Sequence, residues 1–134
     1  MKASELAKRF AVNVNTVRHY VRSGLLTPGK DASGYHSFGH EEVRRLSFIL
    51  RARALGFTLD DIQQLLSDAT QGQSHCPHAR ELIELRLREA QEKLINMQAL
   101  VKRMESAVEE WKKLPDCSPC GDHICHLIEG DHHE

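Results

Sequence analysis

Apolar and polar positions recur with helical spacing in several short segments and one long one. The first short segment, "ASELAKRFAV", offers Ser4 as a helix N-cap. The second, "NVNTVRHYVRSGLL", is capped by Asn13 or Asn15 and stopped by Gly24. Two short helices joined by about three residues predict a helix-turn-helix.

Three further elements are predicted before a polar break at "TQGQSH". Turn-forming residues flank "GYHSF", where Tyr35 and Phe38 fit the edge of a small hairpin. A third helix fits "HEEVRRLSFILRARALG", with Gly56 as its stop. A fourth fits "TLDDIQQLLSDA", which begins with a capping box of Thr58 and Asp61.

One long helix is predicted over residues 77–114 and ends before Pro115. Its apolar residues alternate in steps of three and four, which makes a heptad seam: Leu87, Ala90, Leu94, Met97, Val101, Met104, Val108 and Trp111. Such a seam needs a cover, and a second copy of the chain, parallel or antiparallel, provides one. The alternative is a helix that packs back on its own domain, but the N-terminal segments are too small to cover its length.

Charge divides the chain in two. Residues 1–57 carry a net +6 and residues 58–134 a net −7, giving the overall −1. The basic part points to a polyanionic partner such as nucleic acid. No run is long and apolar enough to span a bilayer, so we expect a cytoplasmic protein without a membrane partner. We expect three parts: a DNA-binding domain at 1–70, a dimerisation helix at 77–114, and a metal-binding loop and tail at 115–134.

Three of the four cysteines and four of the nine histidines fall within residues 115–134. Cys117, Cys120 and Cys125 have a spacing that lets a short loop wrap one ion, and His123 and His126 offer imidazole ligands. Thiolates select soft or borderline ions. The alternative is an incidental, disordered tail. Cysteines confined to the two ends of the long helix favour a metal site.

The fourth cysteine, Cys76, stands at the start of the long helix. A helix of about 38 residues is roughly 57 Å long, so Cys76 and the loop of the same chain lie at opposite ends. In an antiparallel dimer the start of one helix lies beside the end of its partner. Cys76 of one subunit would then complete the site formed by Cys117, Cys120 and Cys125 of the other.

The order of these elements resembles the MerR family of transcription regulators over essentially the whole chain. The resemblance is carried by "ELAKRFAVNVNTVRHYVRSGLL", the "GYHSF" wing, "EEVRRLSFILRARALGFTLDDIQQLL" and a heptad helix followed by cysteines. It implies a mainly α fold: a winged helix-turn-helix DNA-binding domain, a long antiparallel coiled-coil dimerisation helix and a C-terminal Cys-rich loop. Two positions depart from the family, with Val21 where glutamate is common and His36 where arginine is common.

Candidate DNA contacts follow from the recognition helix and the wing. Asn13, Asn15, Thr16, Arg18 and His19 lie at the start of the recognition helix. The resemblance implies that Arg18 and Tyr20 clamp phosphates and that Tyr35 and His36 of the wing hold the flanking backbone, with Lys30 adding charge nearby. Taken singly, Tyr20 is equally a core residue and Arg18 a solvated charge.

The resemblance also implies a metal class. A cysteine at the position of Cys76 is typical of the zinc, cadmium, lead and mercury sensors, whereas copper(I) and gold sensors usually have serine there. We expect Cys76 and Cys125 to be ligands, with Cys117 and Cys120 as alternatives for a third place and His78 or His123 as an addition.

The leading hypothesis is a metal-responsive regulator that binds double-stranded promoter DNA as a homodimer. The resemblance implies that it activates metal-resistance genes by distorting promoter DNA, so that RNA polymerase is reached indirectly. Alternatives are a redox or iron–sulfur regulator of the same fold, a copper(I) sensor, or a metal buffer or metallochaperone that binds no DNA. An enzyme is not expected, because we find no catalytic constellation.

Overall fold

A computed structural model describes residues 1–72, 74, 76–118, 121 and 124–130. Those residues form six helices and one two-stranded sheet, in this order: α1 Ala3–Arg9, α2 Val14–Arg22, β1 Gly29–Lys30, β2 His36–Ser37, α3 His40–Ala54, α4 Leu59–Thr70, α5 Cys76–Trp111 and α6 His126–Glu129. The chain divides into two compact units, Met1–Leu87 and Arg88–Glu134. Among the described residues, no helix is long and apolar enough to cross a membrane.

The first unit has one hydrophobic core, to which α1 to α4 and the loops between them contribute. Its buried apolar side chains are Leu6, Ala7, Val17, Tyr20, Leu25, Leu26, Phe38, Leu46, Ile49, Ala52, Phe57, Ile62 and Leu65. Residues from every predicted element of the N-terminal part therefore share one apolar interior.

Helices α1 and α2 form the predicted helix-turn-helix. The α2 cap is Asn13, whose Oδ1 accepts a 2.8 Å hydrogen bond from the backbone N–H of Asn15. The prediction of Ser4 as the cap of α1 is wrong: the helix begins at Ala3 after Lys2. The cause is Glu5, whose carboxylate accepts from the backbone N–H of Lys2 at 3.3 Å and so fixes the first turn further back.

The predicted hairpin forms the wing. Strands β1 and β2 are antiparallel, and Lys30 pairs with His36. The tip is held by Asp31, whose Oδ1 accepts from the backbone N–H groups of Ser33 at 2.9 Å and Tyr35 at 3.1 Å. The base is held by Phe38, which is buried and exchanges two 2.7 Å backbone hydrogen bonds with Met1.

Helix α4 begins with the predicted capping box. Thr58 Oγ1 accepts from the backbone N–H of Asp61, and Asp61 Oδ2 accepts from that of Thr58, both at 3.0 Å. Asp61 is only 1% exposed and also accepts two bonds from Arg86 of α5, at 2.7 Å from Nε and 2.8 Å from Nη2. The hydrogen bonds from Arg86, and then those from Thr58, outweigh burial and lower the pKa of Asp61 from its usual 3.8 to about 2.

The long helix α5 is one continuous element of 36 residues. It ends at Trp111, before the predicted Leu114, because residues 112–114 tighten into turns with backbone bonds such as Leu114 N–H to the Trp111 carbonyl, 3.2 Å. Its first turns pack on the core of the first unit through Ala79, Leu82 and Ile83. These first turns therefore pack on the chain's own domain, as the alternative to a dimer seam predicted.

Further along α5, the predicted heptad seam is exposed in the part of the chain that the structure describes. Its larger aliphatic and methionine side chains are each between 45% and 58% exposed: Leu87, Leu94, Met97, Val101, Met104 and Val108. An apolar stripe of this length in water is unfavourable, so it is available to cover another apolar surface.

Replacing Arg86 with methionine is expected to lower the free energy of unfolding at neutral pH by about 3 kcal/mol, because the Asp61 carboxylate would stay buried without its cation. The folded pKa of Asp61 lies below its unfolded value. The wild-type pair therefore contributes fully above about pH 4, and this contribution is lost as the pH falls toward 2.

Urea unfolding at pH 7 and in the acid range, at one fixed protein concentration, measures both effects. Arg88→Met makes the same charge change at an exposed position on the same helix and should cost less than about 0.5 kcal/mol. Equal losses in the two variants would contradict the assignment of the ion pair as a stabilising contact.

Candidate DNA interface and metal ligands

A basic cleft of about 450 Å³ opens in the first unit between the start of α1, the recognition helix α2 and the wing. Its polar and aromatic lining comes from three separate segments: Lys2, Ser4, Arg18, Arg22, Tyr35 and His36. Cationic side chains around a concave surface are suited to holding a phosphate group of a nucleic acid backbone.

The recognition helix presents most of its predicted contact residues to solvent. Asn15, Arg18 and His19 are exposed and Thr16 is half-buried. Arg18 Nη1 donates to Asn15 Oδ1 at 3.5 Å, which orients the guanidinium along the helix surface. Tyr20 is only 7% exposed. Its ring therefore lies in the core, which was the alternative to a role in DNA contact. Its contact with DNA stays a prediction.

Asn13 uses its side-chain oxygen to cap α2, which leaves its amide nitrogen for another partner. In the wing, Lys30 and His36 are exposed across the ladder from each other, and Tyr35 is 68% exposed. The cleft brings Arg18, Tyr35 and His36 together as predicted candidates.

Lys2 and Arg22 line the same cleft, although neither is among the contacts predicted from the sequence. Lys2 is the residue just before α1, and Arg22 is the last residue of α2. The signal for Arg22 was its spacing of four from Arg18, which puts both on one helical face. Lys2 lies next to Met1, whose backbone pairs with Phe38 at the base of the wing, and this tertiary contact helps to bring Lys2 to the cleft.

The described cysteines are free thiols at the predicted positions. Cys76 is the first residue of α5 and is exposed, Cys117 is exposed after the end of that helix, and Cys125 is half-buried. Cys120 and His123 lie outside the described residues. Within the part of one chain that is described, no three His, Cys, Asp or Glu side chains converge as metal ligands.

His78 has a local partner. Its Nδ1 lies 2.8 Å from Asp68 Oδ2 of α4, with both side chains about one-quarter to one-third exposed. Cys76 and His78 are two residues apart on α5, and positions at that spacing do not face each other on a helix. The geometry therefore gives His78 a contact that joins α5 to α4.

Cys125 is the N-cap of a short helix, α6, within the segment predicted to be a loop. The prediction of a loop is wrong for His126–Glu129. Glu129 Oε2 accepts from the backbone N–H groups of Ile124 at 2.9 Å and Cys125 at 2.8 Å, and Gly130, at φ 75°, ends the helix. The sequence does contain an indication of this helix, namely a glutamate four residues after Cys125 that is followed by a helix-ending glycine.

Comparison with known proteins decides the family. A family model described as "MerR HTH family regulatory protein" matches residues 1–69, and one described as "MerR, DNA binding" matches residues 43–107. The chain belongs to the MerR family. The family and helix-turn-helix fold predicted from the sequence are thus confirmed. This MerR-family chain is a DNA-binding transcription regulator and not an enzyme.

Relatives and solved structures agree with that assignment. The mercuric resistance operon regulatory protein of Pseudomonas fluorescens is 38% identical over 107 residues, 78% of this chain and 69% of that protein. The transcription regulator PbrR691 from Ralstonia metallidurans CH34, solved in complex with lead(II), is 26% identical, spans 97% of this chain and 98% of that one, and has a TM-score of 0.73.

A second similar structure contains DNA. The EcmrR–DNA complex in EcmrR-RPo is 25% identical, with a TM-score of 0.67, over 84% of this MerR-family chain and 40% of the EcmrR chain. The similarity is thus to regulators that have been observed with a metal ion or with DNA.

Replacing Arg18 with alanine is expected to weaken binding to every DNA sequence and to lower the salt dependence, log K against log salt, by about one unit. The reason is the loss of one phosphate contact in the basic cleft. The measurement is fluorescence anisotropy with labelled duplexes over a salt series. Arg103→Ala, the same charge change on an exposed part of α5, should leave the slope unchanged. An unchanged slope in the Arg18 variant would remove this residue from the interface.

Proposed function

We propose that this MerR-family protein is a metal-responsive regulator that senses a soft or borderline divalent ion, namely zinc, cadmium, lead or mercury, and activates metal-resistance genes by distorting promoter DNA. The observation that carries the proposal is the placement of free thiols at both ends of α5, with Cys76 at its start and Cys117 and Cys125 after its end. The relatives named for mercuric resistance and the lead(II) complex of PbrR691 support the same chemistry.

The donor set fits such an ion. Thiolates are the ligands that these metals prefer over the oxygen ligands of magnesium and calcium. Cys117 and Cys125 follow one another closely, and the Glu129 carboxylate fixes the backbone at Cys125 through two hydrogen bonds. We propose Cys76, Cys117 and Cys125 as ligands, with Cys120 as an alternative to Cys117 and His123 as an addition.

His78 is a weaker candidate ligand than the cysteines, because Asp68 already holds its Nδ1 and its position on the helix faces away from that of Cys76. A bound divalent ion would link the ligands of two chains. The protein's own part is to place Cys76 on one side of that link and Cys117 and Cys125 on the other.

The dimer is the second half of the proposal. The exposed heptad seam of α5 fits a second copy of the same seam, since identical stripes are complementary by symmetry. Antiparallel pairing is proposed because it alone brings Cys76 of one chain beside the cysteine segment that follows the partner's helix. A helix of 36 residues, about 54 Å long, separates those ends within one chain.

For DNA, we propose that each basic cleft holds backbone phosphate at one half-site. Arg18, Lys2 and Arg22 supply charge, and Tyr35 and His36 hold the flank. Asn13, Asn15, Thr16 and His19 face the bases from the start of the recognition helix, and Lys30 and Tyr20 add backbone contacts. RNA polymerase would be reached through the shape of the promoter.

Two alternatives of the same fold are weaker. A copper(I) sensor is disfavoured by the cysteine at position 76, where serine is typical. An iron–sulfur regulator would need four loop cysteines, and the chain has three after the long helix. A cytoplasmic location belongs to the proposal, since a regulator of promoters acts where the DNA is. The proposal also divides the chain into a DNA-binding domain at 1–70, a dimerisation helix at 77–114 and a metal-binding segment at 115–134.

Replacing Leu94 with glutamate is expected to shift the dimer to monomer, because charge would enter the centre of the seam. Ile95→Glu is the matched control. Ile95 is as exposed as its neighbour, 64% against 58%, but lies off the seam, so its variant should stay dimeric. Sedimentation of the metal-free proteins measures both. A monomeric wild type, or a dimeric Leu94→Glu variant, would contradict the proposed interface.

A mixed dimer tests the site between subunits. Combining Cys76→Ser chains with Cys125→Ser chains gives one composite site with both lesions and one with neither. We expect one tight metal ion per mixed dimer, measured by thiolate-to-metal absorption during an anaerobic cadmium(II) titration. Each homodimeric variant has two damaged sites and should bind weakly.

If the ligands all came from one chain, each site of the mixed dimer would keep a lesion and no tight ion would bind. That outcome would reject the site between subunits while leaving the DNA-binding dimer intact. Gel shift with the same preparation confirms that the mixed dimer is folded and able to bind DNA.

A further inference from the structure

Helix α4 contacts both the start of α5 and the end of the recognition helix, all within the unit Met1–Leu87. The proposed function requires a change at Cys76, on α5, to reach α2. The side chains of α4 that contact these two neighbours are therefore in a position to carry this change.

The hydrogen bonds that the described residues form between α4 and α5 have their acceptors on α4. Two carboxylates of α4, Asp61 and Asp68, accept from Arg86 and His78 of α5, at 2.7–2.8 Å. The Asp61 contact has two parallel bonds and a buried carboxylate, which fixes direction as well as distance. Because both contacts flank the first turns of α5, a displacement of those turns also displaces α4.

A side-chain amide of α4 forms a hydrogen bond with the end of the recognition helix. Gln63 Nε2 of α4 donates to the backbone carbonyl of Ser23, the C-cap residue of α2, at 3.3 Å. The last carbonyls of a helix have no partner within it, so this bond satisfies one of them. The same amide lies 3.8 Å from where a Cβ on Gly24 would stand, which places it over the turn that ends α2.

We propose that Gln63 is a positioning residue that passes a metal-dependent displacement of α5 from α4 to the recognition helix. The inference rests on the proposed metal-sensing function. A donor that holds the end of α2 changes the direction of that helix when α4 moves, without touching metal or DNA. A second bond to this region, from Arg45 Nε of α3 to the Leu25 carbonyl at 3.0 Å, holds the turn from another side.

The chain offers a matched control in the next residue. Gln64 is also exposed on α4, but its Nε2 donates to Asp60 Oδ2 of the same helix, at 2.9 Å. Gln63→Ala and Gln64→Ala therefore remove the same amide from adjacent positions of one helix. Gln63→Lys keeps a hydrogen-bond donor at position 63 and serves as the rescue variant.

The experiment is hydrogen exchange of the full-length protein, with and without cadmium(II), read at the backbone amides of residues 14–26. Cadmium affinity is followed in parallel by thiolate absorption. In the wild type and in Gln64→Ala we expect cadmium to change exchange at these amides by about threefold or more. In Gln63→Ala we expect cadmium to bind as tightly while the change at residues 14–26 is largely lost, and Gln63→Lys should restore it.

Three results would overturn the inference: a full cadmium response in Gln63→Ala, an equal loss in Gln64→Ala, or no response at residues 14–26 in a wild type that binds cadmium. Faster exchange of α2 in Gln63→Ala with the cadmium response intact would give this residue a structural role alone and would also overturn it. Absence of tight cadmium binding by the wild type would reject the proposed function and, with it, this inference.

Discussion

The buried contact between Asp61 and Arg86 is the constraint on which the arrangement of the first unit depends. Asp61 at once closes the capping box of α4, by accepting from the backbone N–H of Thr58, and accepts from Arg86, and a buried carboxylate without its cation is strongly unfavourable. The start of α5 must therefore lie against α4 whenever α4 is properly formed. For this reason the long helix begins inside the DNA-binding unit, with Ala79, Leu82 and Ile83 in contact with its core.

How far the sequence predicts the fold depends on the range of the interactions involved. The Thr58–Asp61 capping box was predictable because its partners are three residues apart, and the heptad seam because its period is written along one helix. The Arg86 bond to Asp61 was not, since 25 residues separate the two and nothing local links them. The Ser4 cap failed because a competing local signal, Glu5, prevailed.

The candidate site follows the same division. Arg18 and Tyr35 were predictable from their motifs, whereas Lys2 enters the cleft through the pairing of the chain's first residue with the wing, a tertiary contact. The cysteines are evident from sequence. In the proposed site the ligands come from two chains, so their grouping cannot be read from the order of residues in one.

The seam of α5 has a consequence for the identity of the partner. All eight of its positions are apolar, from Leu87 to Trp111, with no buried asparagine or lysine of the kind that fixes register and excludes foreign helices. Discrimination then falls to the charged residues beside the seam. In a cell with several regulators built on similar helices, subunits would exchange unless the charged residues beside the two seams repel each other. A hybrid dimer would carry two different recognition helices on one operator.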